Sequence, residues 1–198
     1  KAHGLNTLPG TPAEVLYDEV RAVLCPDKIN TRQWMQVIET AHVVGLKTTA
    51  TIMFGHVDRY KHWARHLRRV RDIQVGTHGF TEFVPLPFVP MEAPLYLKGR
   101  ARMGPTFREV MLMHAVARLA LHGQIDNIQA SWVKLGDTGV SAALSAGVND
   151  LGGTLMNETI TRAAGATHGE GKSPQELEAL IASVGRQPHQ RSTEYGEV

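Results

Sequence analysis

The fold is decided by the stretch Lys47-Thr48-Thr49-Ala50-Thr51-Ile52-Met53-Phe54, which is rich in β-branched residues and nearly uncharged. Such a run is typical of a strand in a parallel sheet, where both faces of the strand are buried. Gly55-His56 follows as a turn. Apolar residues then recur at helical spacing, at Tyr60, Trp63, Leu67 and Val70. The order of strand, turn and helix predicts one βα unit.

Similar units lie on both sides of this one. Upstream, the short apolar run Leu5–Leu8 precedes Thr11-Pro12-Ala13-Glu14, a capping box that predicts the start of a helix. Downstream, β-rich runs predict strands at Phe80–Phe88, Asn127–Lys134 and Val148–Leu151. Further helices are predicted over Thr31–Gly45, Thr106–Leu121, Thr138–Ala146, after Gly152-Gly153-Thr154, and over Ser173–Gly185.

These runs amount to about five βα units, which predicts an α/β fold with a parallel sheet, either open or closed as a barrel. A complete eight-stranded barrel takes about 250 residues. The chain has 198 residues. If the sheet is a barrel, we therefore expect this chain to hold only part of it.

The composition narrows the classes of function. The formal net charge is +2, which is too small to favour nucleic acid or a membrane surface as the main partner. No apolar run approaches the roughly 18 residues of a membrane span, and the first residues lack a signal-peptide pattern. The single cysteine, Cys25, excludes an internal disulfide and favours a cytoplasmic location. It also excludes an iron–sulfur cluster held by several thiolates of this chain.

Candidate site residues come from the ends of the predicted strands, because parallel α/β folds place their sites at the carboxyl edge of the sheet. The polar residues and glycines found there are Thr7, Glu14, Gly55, His56, Asp58, Glu82, Gln129, Ser131, Lys134, Asn149, Asp150 and Thr154. Glu14 could serve only the helix cap, and His56 could be a simple turn residue.

Two further patterns bear on a ligand site. Gln129 and Ser131 on one side of a buried strand are unusual unless they face a polar ligand, and paired glycines at Gly152-Gly153 permit close approach of a ligand to the backbone. His62 and His66 have metal-ligand spacing, but no third ligand is near and the surrounding helix is basic. We interpret these histidines as part of a solvated helix face and predict no metal ligands in this chain.

Five runs, in this order along the chain, resemble the FO synthase family, and menaquinone-pathway radical enzymes share a looser version. The runs are Leu8-Pro9-Gly10-Thr11 with Ala13-Glu14-Val15-Leu16, Thr48–His56, Phe80–Leu86, Gln129–Gly136 and Asn149–Met156. The resemblance covers nearly the whole chain. It is to the half of those enzymes that joins tyrosine to a ribityl-aminouracil.

The resemblance implies a parallel (βα) barrel of the radical S-adenosylmethionine type, incomplete here at about five of eight units. It implies S-adenosyl-L-methionine and a 4Fe–4S cluster as cofactors. The cluster cleaves S-adenosylmethionine, the resulting 5′-deoxyadenosyl radical takes hydrogen from L-tyrosine, and the hydroxybenzyl group is added to 5-amino-6-(D-ribitylamino)uracil. On this basis residues 1–186 are expected to form the carboxyl-terminal part of the barrel, and residues 187–198 a tail.

The chain departs from the family in one decisive respect, which is that the three-cysteine motif for the cluster is absent. We therefore expect the cluster ligands to lie in a missing amino-terminal barrel portion, and the chain alone to be inactive. The segment Gly76–Gly79 also differs from the family pattern, so no role is assigned to it.

The resemblance also implies roles for the strand-end residues. Gly55 and Asp58 are expected near the adenine of S-adenosylmethionine, and Thr7 and Glu14 near its ribose or methionine part. His56 is expected as a polar contact or proton carrier. Residues expected to hold substrate are Gln129, Ser131, Lys134, Asn149, Asp150 and Thr154.

Two alternatives from other classes remain open on the sequence. The chain could be a non-catalytic ligand-binding or assembly partner that completes another barrel, since exposed edge strands favour pairing. It could instead be an unrelated barrel hydrolase or lyase that uses His56, Asp58 and Lys134.

Overall fold

The computed structural model describes residues 4–10, 13–155, 159–166, 168 and 171–198. Its sheet has three strands, β1 (Thr7–Leu8), β2 (Lys47–Phe54) and β3 (Phe80–Pro87), in the order β1-β2-β3. Both pairings are parallel, with Thr7 beside Lys47 and Phe54 beside Pro87. The strand predicted at Lys47–Phe54 is confirmed residue for residue, and the chain is an α/β protein with a parallel sheet.

Two short extended segments continue the sheet beyond β3. Phe83 forms a parallel bridge with Ile128, and Gln129 forms one with Asp150. The backbone N–H of Phe83 donates to the carbonyl of Asn127 at 2.9 Å, and that of Ala130 donates to the carbonyl of Asp150 at 2.9 Å. Segments that are consecutive in the chain are thus neighbours in the sheet.

The helices cover the sheet and supply most of the core. They are α1 (Asp18–Leu24), α2 (Thr31–Val43), α3 (Tyr60–Thr77), α4 (Pro94–Leu97), α5 (Phe107–Ala120), α6 (Trp132–Ser145), α7 (Ile160–Ala163) and α8 (Pro174–Ser183). Alternate residues of β2, namely Ala50, Ile52 and Phe54, are fully buried in the same core as Trp63 and Leu67 of α3. The buried face of strand β2 and the apolar face of helix α3 therefore belong to one core.

The predicted strand Asn127–Lys134 is wrong in its second half. The extended part ends by Ala130, and α6 begins at Trp132 with Ser131 as its N-cap. The indole N–H of Trp132 donates to the carbonyl of Gly153 at 3.2 Å, and the side chain is buried. Gly136 (φ 61°, ψ 177°) breaks the helix, so the helix predicted at Thr138–Ala146 is only the second part of α6.

The first helix also starts later than predicted. Helix α1 begins at Asp18, and Glu14 has φ 37°, which places it outside any helix. Thr11 and Pro12 of the predicted capping box lie outside the described residues. Glu14 is therefore not at a capping position, because the chain turns at this residue instead of entering a helix.

Two downstream predictions differ as well. The strand predicted at Val148–Leu151 has a single ladder bridge, at Asp150. After Thr154 the described helix is the four-residue α7, and residues 156–158 lie outside the described residues. No helix in the described part of the chain is long and apolar enough to cross a membrane.

Candidate functional site

The turn after β2 is organised by the carboxylate of Asp58, which is 5% exposed. Its oxygens accept the backbone N–H groups of Gly55, at 2.9 and 3.0 Å, and of His56, at 2.7 Å. The indole N–H of Trp63 also donates to it. Asp58 was predicted to lie near an adenine, but here its oxygens hold the turn itself.

His56 is buried beside this carboxylate, and both of its ring nitrogens face the backbone. Nδ1 accepts the N–H of Val57 at 2.7 Å, so the proton lies on Nε2, which donates to the carbonyl of Met53 at 2.9 Å. Burial lowers the pKa of His56, although the Asp58 charge opposes that shift. The neutral ring therefore braces the turn, and a catalytic role for His56 stays a prediction.

Gly55 occupies a conformation that only glycine adopts easily, with φ +93°. A Cβ added at this position would lie 2.3 Å from Cδ of Pro105. The close neighbour of Gly55 in this structure is therefore the loop before α5. Contact between Gly55 and an adenine stays a prediction.

Glu14 lies at the same edge of the sheet, because its carbonyl accepts the N–H of Met53 at 2.9 Å. Its Oε1 accepts Nζ of Lys28 at 2.6 Å, and Arg21 lies 3.7 Å from Oε2. Oε2 is buried and has no hydrogen-bond donor among the described residues. The side chain borders a cavity of about 340 Å³ that is lined by Glu14, Leu24, Cys25, Pro26, Asp27, Lys28 and Met53.

Thr7 is not brought to this edge. It pairs with Lys47, the first residue of β2, whereas Gly55 follows the last. Strands rise about 3.3 Å per residue, so Thr7 lies roughly 26 Å from the turn that begins at Gly55. The register of β1 therefore separates Thr7 from Glu14, Gly55 and Asp58, with which it was expected to share one cofactor.

A second polar group forms where the extended segments follow β3. Nε2 of Gln129 donates to Oε2 of Glu82 at 2.8 Å, and the hydroxyl of Tyr195 donates to the same oxygen at 2.6 Å. Arg191 donates to both oxygens of Asp150, at 3.0 Å to Oδ1. We call Glu82, Gln129, Asp150, Arg191 and Tyr195 the tail cluster, because two of its members come from the carboxyl-terminal tail.

The tail cluster is electrostatically unusual. Glu82 and Asp150 are 9% and 8% exposed, and Arg191 is the cation between them, 3.7 Å from Glu82. Burial raises the pKa of Glu82, whereas the bond from Tyr195 acts to lower it. The pKa of Tyr195 is also raised, first by burial and second by the hydrogen bond to Glu82. The hydroxyl therefore stays protonated and donates.

The other predicted substrate residues are less concentrated. Asn149 is exposed, and its Oδ1 accepts from Arg118 at 2.6 Å and from the N–H of Ile128 at 2.9 Å. Ser131 and Lys134 are half-buried at the start of α6, and Thr154 is exposed. The structure therefore brings Gln129 and Asp150 together. A substrate role stays a prediction for these two residues as well as for the others.

Sequence reasoning missed Arg191 and Tyr195, and it gave Glu82 no role. Glu82 carried a local signal, because it is the one charged residue in the run Phe80–Phe88. The tail carried none, since Tyr195 and Glu82 are 113 residues apart. Such a pairing arises only once the fold brings the segments together.

The interpretation of His62 and His66 as a solvated face is wrong. Both side chains are buried, at 6% and 0% exposure, and Nδ1 of His66 accepts the N–H of Leu16 at 3.1 Å. No group of three or more potential metal ligands occurs among the described residues. These histidines brace the backbone instead.

Comparison with known proteins finds a match to one family and several similar sequences. Residues 77–198 match the family described as CofH/MqnC C-terminal region. The chain is 56% identical over 198 residues to the FO synthase of Nocardia farcinica, covering 23% of that protein. It is 55% identical over 192 residues, or 97% of the chain, to the FO synthase of Mycobacterium leprae, covering 22% of that protein.

A shorter relative comes from Methanocaldococcus jannaschii and is named 5-amino-6-(D-ribitylamino)uracil–L-tyrosine 4-hydroxyphenyl transferase. It is 51% identical over 195 residues, which are 98% of this chain and 54% of that protein. The chain thus spans about a quarter of the FO synthases and about half of the transferase. Because the family match covers more than half of the chain, the chain belongs to the CofH/MqnC C-terminal region family.

Proposed function

We propose that the chain is the carboxyl-terminal part of a radical S-adenosylmethionine transferase that adds the hydroxybenzyl group of L-tyrosine to 5-amino-6-(D-ribitylamino)uracil. The observation that carries this proposal is the 51% identity to the transferase over 98% of the chain. The product would be a precursor of the deazaflavin chromophore FO, and the enzyme would work in the cytoplasm.

The parallel sheet supports a barrel in this proposal. Consecutive segments are sheet neighbours, which is the strand order of a barrel. On the outer side of β1, the described residues contribute no further strand. In the proposal, the missing amino-terminal barrel portion pairs at this edge, and residues 1–186 form the barrel part that precedes the tail 187–198.

The residues of this chain do not fit a 4Fe–4S cluster. The sequence contains one cysteine, and the described residues contain no group of three potential ligands. Cys25 lies beside Glu14 and Lys28, where burial raises the pKa of its thiol and disfavours the thiolate that binds iron. The proposal therefore places the cluster ligands outside these residues and derives no step through the cluster.

One feature does fit S-adenosyl-L-methionine, which supplies the hydrogen-abstracting group when it is bound. The buried Oε2 of Glu14 lacks a donor among the described residues and borders a cavity at the carboxyl end of β2. An ammonium or ribose hydroxyl group would provide that donor. Glu14 is therefore our choice for the residue that orients this cofactor.

The substrates are assigned to the tail cluster. Gln129 and Asp150 lie side by side, and the close packing of Gly152 against the Gln129 amide holds that side chain in place. An amide held this way suits the donor and acceptor edge of a uracil ring. The proposed substrate set is completed by residues close to Gln129 and Asp150 in the sequence, namely Ser131, Lys134, Asn149 and Thr154.

The proposal is tested in two ways. After anaerobic reconstitution with iron, sulfide, dithionite and S-adenosylmethionine, the purified chain is expected to form no 5′-deoxyadenosine, whereas formation of that product would overturn the placement of the cluster. Calorimetry with S-adenosylmethionine should show binding that Glu14→Gln weakens about tenfold, since the acceptor of the proposed hydrogen bond loses its negative charge. Exposed Glu39→Gln is the matched control, and equal affinities for both variants would remove Glu14 from the site.

A second candidate function is favoured by the outer edge of β1, with which no strand of the described residues pairs. The chain could act without catalysis, as a partner that completes a barrel formed with another polypeptide. Light scattering after size exclusion, with and without an added amino-terminal barrel portion, tests this function. Stable association without any gain of activity would favour it over the transferase.

A further inference from the structure

The carboxyl-terminal tail packs against Glu82 and Asp150 of the tail cluster instead of fraying. Tyr195 donates to Oε2 of Glu82 at 2.6 Å, and the guanidinium of Arg191 lies 4.0 Å from the centre of the Tyr195 ring. Arg191 and Glu197 form an antiparallel bridge, so the tail turns back on itself. These contacts tie the tail to a residue of β3 and to Asp150.

The same oxygen of Glu82 also receives the amide of Gln129. Nε2 of Gln129 donates to it at 2.8 Å, and the far side of that amide meets Gly152, where an added Cβ would lie 3.1 Å from Oε1 of Gln129. Asp150, which is paired with Gln129 in the sheet, is held by Arg191. The tail thus holds Glu82, which accepts the Gln129 amide, and Asp150, which pairs with Gln129 in the sheet.

We infer that Tyr195 and Arg191 are positioning residues, which orient the Gln129 side chain toward substrate by fixing Glu82 and Asp150. The inference rests on the proposed function for the identity of the substrate, but not for the coupling between the tail and Gln129. It makes the tail part of the substrate site, although the tail lies at the end of the chain.

The coupling follows from the chemistry of a shared acceptor. The ionised carboxylate of Glu82 can accept two donors on one oxygen, and Tyr195 and Gln129 are those donors. Protonation of Glu82 would give that carboxyl a donor of its own and weaken its hold on the Gln129 amide. The orientation of Gln129 therefore depends on the charge of Glu82.

The groups that face Glu82 all come from three segments. The tail supplies the Tyr195 hydroxyl and the Arg191 cation, the segment after α6 supplies the Asp150 anion, and Gln129 supplies a neutral amide. Burial and Asp150 raise the pKa of Glu82, whereas Tyr195, Arg191 and Gln129 lower it. Loss of the Tyr195 hydroxyl should raise the pKa further, because one stabilising donor is removed.

The first experiment needs no ligand. The side-chain amide signals of Gln129 are followed by nuclear magnetic resonance between pH 4 and pH 8 in the wild type, Tyr195→Phe and Glu194→Gln. The Gln129 signals should report the titration of Glu82, and Tyr195→Phe should move the midpoint to higher pH. Exposed Glu194 is the matched tail control, and its variant should keep the wild-type midpoint.

A second variant keeps the test decisive. Glu82→Gln retains an acceptor oxygen but cannot titrate, so the pH response of the Gln129 amide should disappear. If Tyr195→Phe leaves the Gln129 signals and their midpoint unchanged, the positioning role is wrong. The same conclusion follows if Glu82→Gln keeps the pH response.

A ligand measurement separates this inference from the proposed function. Calorimetric affinity for 5-amino-6-(D-ribitylamino)uracil should fall about tenfold in Tyr195→Phe and stay constant in Glu194→Gln. If the wild type binds no aminouracil while the Gln129 signals respond as expected, the substrate assignment fails and the coupling stands. Equal affinities in the wild type and Tyr195→Phe would instead overturn the link from the tail to the substrate.

Discussion

Nδ1 of His66 accepts the backbone N–H of Leu16 at 3.1 Å, across 50 residues of chain. Arg69, one helical turn further along α3, donates to the carbonyl of Leu16. Arg21 donates to the carbonyl of Ala13 at 2.7 Å. Side chains from two helices therefore satisfy the backbone around Glu14, which has a positive φ.

Replacement of His66 should destabilise the fold. His66→Leu keeps an apolar volume but leaves the N–H of Leu16 without its acceptor in the core, which costs about 1–3 kcal/mol. The free energy of unfolding in urea is the measurement. His122→Leu, at an exposed position, should change it by less than about 0.5 kcal/mol. Equal effects of the two substitutions would contradict the bracing role.

The free energy of unfolding should decrease as the pH is lowered below about 6.5. Burial lowers the pKa of His42 to about 4 and that of His66 to about 3, from an ordinary value of 6.5. Between pH 6.5 and 4 the unfolded chain binds protons at these residues and the folded chain does not, so acid favours unfolding. Each histidine should contribute a slope of about 1.4 kcal/mol per pH unit in the lower part of this window.

Urea denaturation at several pH values measures that slope. His42 is hydrogen-bonded to Thr48 at 2.8 Å and to Thr77 at 2.7 Å, so His42→Gln should flatten the pH dependence at some loss of stability. His122→Gln should leave the slope unchanged. A His42→Gln protein with the wild-type slope would show that His42 is not neutral in the folded state.

Gly55→Ala should be strongly destabilising. The added methyl group would lie 2.3 Å from Pro105, and φ is +93°, so both contact and backbone strain oppose it. We expect a loss of at least about 2 kcal/mol in the free energy of unfolding. Gly76→Ala in α3 meets nothing within 4 Å and should stabilise by about 0.5–1 kcal/mol. A neutral Gly55→Ala would indicate that the loop at Pro105 moves away.

Asp58→Asn tests the turn after β2. Asparagine has one acceptor oxygen for the three N–H donors that Asp58 serves, so part of the turn loses its partner. The expected loss is about 2–3 kcal/mol of unfolding free energy. Asp72→Asn removes an exposed pair with Arg68 and should change stability by less than about 0.5 kcal/mol. Similar effects at both positions would argue against this role of Asp58.

Much of the sheet could be predicted from local pattern. Strand β2 was predicted with its observed bounds, since an uncharged β-branched run has few other stable environments. The run Gln129–Lys134 misled the prediction, because β-branched and aromatic residues are also found in buried helix starts. The burial of Trp132 and its bond to Gly153 favour a helix there, and both depend on contacts from elsewhere in the chain.

The candidate site, like the sheet, could be predicted only in part from local pattern. Strand-end position placed Gln129 and Asp150 in one candidate set, and in the structure the two residues are bridge partners, because parallel strands end at a common edge. It also grouped Thr7 with Gly55, which the register of β1 places at opposite ends of the sheet. Register depends on pairing between strands and is not encoded in the short run Leu5–Leu8.

The sequence by itself determined the α/β class, the parallel order of the central strands and the family, because these follow from patterns of a few consecutive residues. Only the tertiary structure decided that Asp58 serves its own turn, that His66 braces Leu16 and that Tyr195 reaches Glu82. The last two pairings join residues that are 50 and 113 positions apart in the chain. They exist because burial removes water, so that most buried polar groups are paired with whatever partner the fold brings near.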